Sequence, residues 1–194
     1  MPRPKRLIIP FVPHHISQRG NNQRIVFRCD DDRHRYLNLL LKYSKRKNLQ
    51  ILSYCLMTNH IHFVAIPENE KDIPNMIRVL QSQYSSLTNQ ILGNTGHLWQ
   101  QHYYSNPLNE RHLIATLRYI EQNPVRAGIT ASPLDYKWSS ACAHITGTDD
   151  TRILDLRWWM DRLDSCSWNE FLHQNLEEEM LNRIRVQLKT GRPL

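Results

Sequence analysis

The spacing of apolar residues divides the chain into segments of two periods. Tyr36, Leu37, Leu39, Leu40, Leu41 and Tyr43 follow an acidic start at Asp30, Asp31 and Asp32, which predicts a helix over residues 30–47. Residues 49–57 have the length and apolar content of a buried strand. Residues 60–66 read as its hairpin partner across Thr58 and Asn59, ended by Pro67. Residues 14–18 suit a short strand closed by the turn-forming Arg19, Gly20, Asn21 and Asn22. A helical pattern over residues 73–91 stops at Gly93 and Asn94, and a second over residues 110–122 stops at Asn123 and Pro124. The aromatic-rich loop between them leaves room for one more strand. This order predicts an α+β fold, an antiparallel sheet with helices packed on it. After about residue 147 the pattern changes. Trp158, Trp159, Trp168, Phe171 and Leu172 read as packing residues of short helices, and residues 176–188 as a polar terminal helix. The expected organisation is one domain over residues 1–147 and a small helical C-terminal extension over residues 148–194.

Composition is ordinary for a globular chain, but the charge is unevenly spread. The net charge is +7, and residues 1–50 hold 12 Lys and Arg against 3 acids. Residues 149–180 reverse this, with 3 against 9, and the last 14 residues hold 4 basic side chains and no acid. Two basic regions flanking an acidic stretch suit two contacts with a polyanion, although a solvated surface has the same composition. No apolar run approaches the roughly 20 residues that span a bilayer. Cys29, Cys55, Cys142 and Cys166 have no paired spacing, so neither a zinc site nor a disulfide framework is expected. The expected setting is the cytoplasm, with reduced thiols and no membrane contact.

Two short stretches could carry chemistry. In the predicted strand at 60–66, His60 and His62 are two apart and share a face, with Ile61 and Phe63 on the other. Two neutral imidazoles so placed can hold one divalent metal; an ordinary half-exposed strand would show the same pair. On the helix at 110–122, Tyr119 and Asn123 are four apart and share a face, while Leu117 and Ile120 point to the core. A phenol is a weak nucleophile at neutral pH unless its electrophile is activated, which a metal beside it can do. The amide oxygen suits a hard ion, Mg²⁺ or Mn²⁺.

The stretch Leu56-Met57-Thr58-Asn59-His60-Ile61-His62 and the stretch Arg118-Tyr119-Ile120-Glu121-Gln122-Asn123-Pro124-Val125-Arg126-Ala127-Gly128 carry a resemblance. So do His14-His15-Ile16-Ser17-Gln18-Arg19-Gly20-Asn21-Asn22, Gly96-His97-Leu98-Trp99-Gln100 and Tyr136-Lys137-Trp138-Ser139-Ser140. Together, over about residues 10–145, the chain resembles the single-tyrosine HUH transposases, and among them the REP-associated tyrosine transposases. The resemblance implies a ferredoxin-like fold with the histidine pair on the central sheet. It implies that His60 and His62 bind a divalent metal and that Tyr119 attacks a DNA phosphodiester. A 5′-phosphotyrosine link and a free 3′-OH would result, without any small-molecule cofactor. The implied partner is single-stranded DNA folded as a hairpin, met by a monomer or a homodimer. Some relatives place Gln four residues after the tyrosine. Here Asn123 stands there, so Asn123 is the expected third ligand and Gln122 its alternative.

The remaining expectations are weaker. Arg19, Arg24, Arg28, Arg126 and Arg192 are read as DNA contacts. Trp99, Tyr103 and Tyr104 are read first as core and second as platforms for unpaired bases. Tyr136 and Trp138 are read as packing residues, and His14 and His15 as minor candidates for the metal site. The basic tail over residues 181–194 follows a phosphate backbone, folds back over the active-site face, or is a solvated terminus. The rival functional reading is a nucleic-acid-binding regulator that keeps the fold without cleavage.

Overall fold

The computed structural model describes residues 7–174 and 176–190. Strand β1 (His14–Arg19), helix α1 (Asp30–Arg46), strands β2 (Gln50–Met57) and β3 (His60–Ile66), helix α2 (Asp72–Leu92), strand β4 (Tyr104–Pro107) and helix α3 (Glu110–Glu121) follow in order. A further helical turn, α4 (Asn123–Arg126), continues from α3. It is followed by α5 (Ala141–Thr146), α6 (Leu156–Met160), α7 (Ser165–His173) and α8 (Glu178–Thr190).

Local sequence explains the main boundaries. Helix α1 starts with Asp30, Asp31 and Asp32 and ends with Lys45 and Arg46, charges that complement its dipole. Asp32 also accepts a hydrogen bond from the Arg28 backbone N–H at 2.8 Å. Helix α2 buries Ile73, Met76, Ile77, Leu80 and Tyr84 along one stripe. It closes on Gly93, whose φ of 61° lies in the left-handed region. Phe27, Tyr36, Tyr84 and Trp99 form one aromatic cluster in the core. Trp99 and Tyr103 are therefore core residues, and Tyr104 alone of that group reaches the cleft described below.

The sheet order is β2-β3-β1-β4, with every neighbouring pair antiparallel, a ferredoxin-like arrangement. Ser17 lies opposite His62 and Arg19 opposite His60. Because side chains alternate, His15, Ser17, Arg19, His60 and His62 share one face, and Ile16, Ile61 and Phe63 the other. Strands β2 and β3 are buried along nearly their whole length, so both faces are covered. The outer edge of β2 is met by later chain. Ser139 bridges Cys55, Leu154 bridges Ile51, and the Asp155 N–H donates to the Ile51 carbonyl at 2.8 Å. A covered edge of this kind cannot recruit a foreign strand. Tyr136 donates its hydroxyl to the Leu56 carbonyl at 2.7 Å, which makes it a packing residue. Among the described residues, no helix is long and apolar enough to cross a membrane.

Candidate active site

A cleft of about 480 Å³ opens at one end of the histidine-bearing face. Its wall includes His60 and His62 from β3, Tyr119 from α3, and Asn123 from the helical turn that follows. Ser17, Gln18 and Arg19 contribute from β1, with Gln100 and Tyr104 from the loop and strand beside it. Arg185 and Leu188 of α8 complete it. Among the described residues, two arginines and no carboxylate line this space, with Arg185 paired to Glu178 at 3.3 Å, so its electrostatics suit an anion such as a phosphodiester.

The two histidines present themselves in the same way. Their ring centroids are 5.0 Å apart. The His60 Nδ1–H donates to Asn59 Oδ1 at 2.7 Å, and His62 Nδ1 lies 3.0 Å from His15 Nε2. With Nδ1 engaged in each ring, Nε2 is the nitrogen left for the cleft. Burial pushes His60 down to about 4, helped by the nearby Arg19 charge. Burial also holds His62 well below the ordinary histidine range, with lesser contributions from His60 and His15. Both rings are therefore neutral at pH 7, the state that binds metal.

The Tyr119 ring stands perpendicular to that of His62, with centroids 5.9 Å apart. The Arg126 guanidinium lies over its ring, 4.1 Å from the centroid, and also donates to the Tyr119 carbonyl. Arg126 is thus half-buried against the tyrosine rather than on an open surface. Arg19 lies on the cleft wall and is exposed; Arg24 reaches the His97 carbonyl at 3.5 Å, and Arg28 is exposed on the same loop. Arg192 falls outside the described residues. His14 and His15, adjacent in sequence, separate onto opposite faces. His14 is held by the Val12 carbonyl and the Ile9 N–H, while His15 touches His62.

Asn123 and Gln122 differ sharply. Asn123 lines the cleft, and no hydrogen bond among the described residues commits its side chain. Gln122 donates its amide to the carbonyls of Leu172 and Gln174, both at 2.7 Å. Its neighbours on that side behave alike: Arg118 donates to the Phe171 carbonyl and stacks on the Phe171 ring. Glu121, fully buried, accepts from Ser140, from His144 Nδ1 and from Trp168 Nε1. The helix therefore has two working sides. Tyr119 and Asn123 face the cleft, while Arg118, Glu121 and Gln122 fasten α7 and α5. Sequence reading missed this second side, although Glu121, an acid in an otherwise core-facing helix, was a signal for a buried partner. Glu121→Ala would strand two buried donors, His144 Nδ1 and Trp168 Nε1, since Ser140 keeps Ser53 Oγ and the Tyr54 carbonyl as acceptors, and a loss of about 2–5 kcal/mol is expected in urea unfolding. A loss below about 1 kcal/mol would mean that the network does not hold the extension.

The donor set decides whether a metal fits. Among the described residues, no three His, Cys, Asp or Glu side chains stand together as a metal site. What converges is two imidazole nitrogens and one amide, a neutral set with open positions left for water or a phosphate oxygen. That set fits a divalent ion which completes its shell and its charge balance from a bound phosphodiester.

A search of curated proteins finds no match. Among solved structures, a REP-associated tyrosine transposase bound to a REP hairpin is similar in fold. Its TM-score is 0.65 at 17% identity, covering 85% of this chain and 93% of that one. A candidate transposase from Deinococcus radiodurans R1 overlaps less closely. Its TM-score is 0.44 at 15% identity, over 63% of this chain and 97% of the other. The family model described as Transposase IS200 like matches residues 12–123, from the start of β1 to the amide beyond the tyrosine. With that match spanning more than half of its length, the chain belongs to the IS200-like transposase family.

Proposed function

We propose that this transposase cuts and rejoins single-stranded DNA beside a hairpin. In this reading Tyr119 is the nucleophile, and His60, His62 and Asn123 hold a divalent ion, Mg²⁺ or Mn²⁺. One observation carries the reading. Two motifs far apart in sequence bring a tyrosine, an amide and two neutral imidazoles to the wall of one cleft, which no acid among the described residues lines.

The Tyr119 hydroxyl oxygen attacks phosphorus, and the bond from phosphorus to the 3′ oxygen breaks. The phenol proton passes to solvent, and the departing 3′ oxygen takes up a proton. The products are a 5′-phosphotyrosine and a free 3′-OH. One phosphodiester replaces another, so a second 3′-OH can reverse the step and join new ends. An ion bound at the histidines would polarise a phosphoryl oxygen and orient the scissile bond. Arg19 neutralises phosphate charge at the cleft wall, and the Arg126 guanidinium packs over the Tyr119 ring. The neighbour bound to a REP hairpin, similar in fold, supports a hairpin as substrate.

The test compares a labelled hairpin carrying a single-stranded flank with a perfect duplex of the same sequence, each incubated with Mn²⁺. A protein–DNA band that survives a denaturing gel is expected for the hairpin alone. Non-covalent binding should weaken steeply with salt. Equal cleavage of the duplex would contradict the single-strand preference, and binding with no covalent band would favour the regulator reading.

Helix α8 adds a second expectation. Leu181, Ile184 and Gln187 anchor it, and this puts Arg185 and Leu188 on the cleft wall. Of the three readings of the tail, that placement supports obstruction of the cleft. Ending the chain after residue 177 is expected to speed cleavage of a saturating hairpin severalfold. Slower cleavage, with weaker binding and a shallower salt dependence, would assign this segment to DNA contact.

A further inference from the structure

His15 is fully buried in a sheet position where an apolar side chain would pack at lower cost. It does not line the cleft, so it is not a ligand there. Its Nε2 lies 3.0 Å from His62 Nδ1, and the centroids are 5.1 Å apart. Only one hydrogen fits between two nitrogens at that distance, which leaves two arrangements for the neutral pair. If His15 Nε2 carries it, His62 must hold its own proton on Nε2, pointing into the cleft and blocking a ligand bond. If His62 Nδ1 carries it, the His62 Nε2 lone pair faces the cleft. Asn59 Oδ1 settles the same choice for His60, because an amide oxygen can only accept.

We propose that His15 is a positioning residue for the metal ligand His62: it accepts the His62 Nδ1–H, fixes the ring, and so directs Nε2 at the ion. The inference rests on the metal reading given above. Strand register makes the contact dependable. His15 is paired with Val64 on one side and Asn106 on the other, so it cannot leave His62 without unpairing β1. His14 shows the contrast, because its two nitrogens are taken by the N-terminal segment on the other face.

The test titrates Mn²⁺ into the full chain and follows the free-ion signal by electron paramagnetic resonance. His15→Leu removes the acceptor, and binding about 10- to 100-fold weaker than wild type is expected. His15→Gln can still accept through its amide oxygen and is expected to recover most of that loss. His62→Ala is the control that separates the two claims. If wild type binds no Mn²⁺, or His62→Ala binds as well as wild type, the metal reading fails and this inference falls with it. If His62→Ala loses the ion while His15→Leu keeps wild-type affinity, only the positioning role fails. A measurement on wild type covers the case in which the leucine variant does not fold. With Zn²⁺ as a diamagnetic probe, nitrogen NMR should find the proton on His62 Nδ1, coupled through the hydrogen bond to His15 Nε2. A proton on His15 Nε2 in the loaded protein would overturn the proposal.

Discussion

Replacing Tyr119 by phenylalanine is expected to eliminate the covalent DNA adduct and to lower cleavage by several orders of magnitude, with hairpin binding unchanged. Only the hydroxyl is lost. The ring keeps its contacts with Arg126, His15 and His62. Stability should therefore change by less than about 1 kcal/mol. The measurement is single-turnover cleavage of a labelled hairpin, beside a binding titration of the same DNA. An adduct that persists would send the search to Tyr104, which shares the cleft. Tyr103 and Tyr136 are buried away from it, and the Tyr136 hydroxyl is already committed to Leu56.

The second large effect is expected at the histidines. Removing either imidazole should stop cleavage while hairpin affinity falls by much less, because in the proposed reading Arg19 and the basic N-terminal third supply the phosphate contacts. His60→Ala is the cleaner substitution. His60 sits partly exposed at the end of β3, whereas His62→Ala also strands His15 in the interior. Chelation with EDTA should reproduce the defect in wild type, and added Mn²⁺ or Mg²⁺ should restore cutting. Wild type that cuts equally well in EDTA would remove the metal from the mechanism, leaving the histidines to act as donors or bases.

Much of this site was legible in the sequence because local geometry determines it. Alternation alone places His60 and His62 on one face, and a spacing of four on a helix places Tyr119 with Asn123. The bounds of α1 and α2 followed from three aspartates and a Gly93 stop, signals confined to a few residues. What stayed hidden depends on chain pairing. His15 meets His62 only because β1 lies beside β3 in one register, and a one-residue slip would turn His15 to the other face. Strand β4 is four residues long and includes Pro107, so it carried no alternation to read. Arg126 looked like a phosphate contact by charge, yet the turn after Pro124 folds it against the tyrosine ring. Gln122 was an open alternative to Asn123 because both follow the tyrosine within one turn. The angular step between them turns one amide to the cleft and the other to α7.

The most direct test is to locate the covalent bond. The chain is incubated with a hairpin oligonucleotide and Mn²⁺, the adduct is digested with nuclease and protease, and the peptides are sequenced by mass spectrometry. The expected result is a 5′-linked nucleotide phosphate on the peptide containing Tyr119, absent when the ion is withheld. The same mass on Tyr104, or a cleaved oligonucleotide with no modified tyrosine, would contradict it.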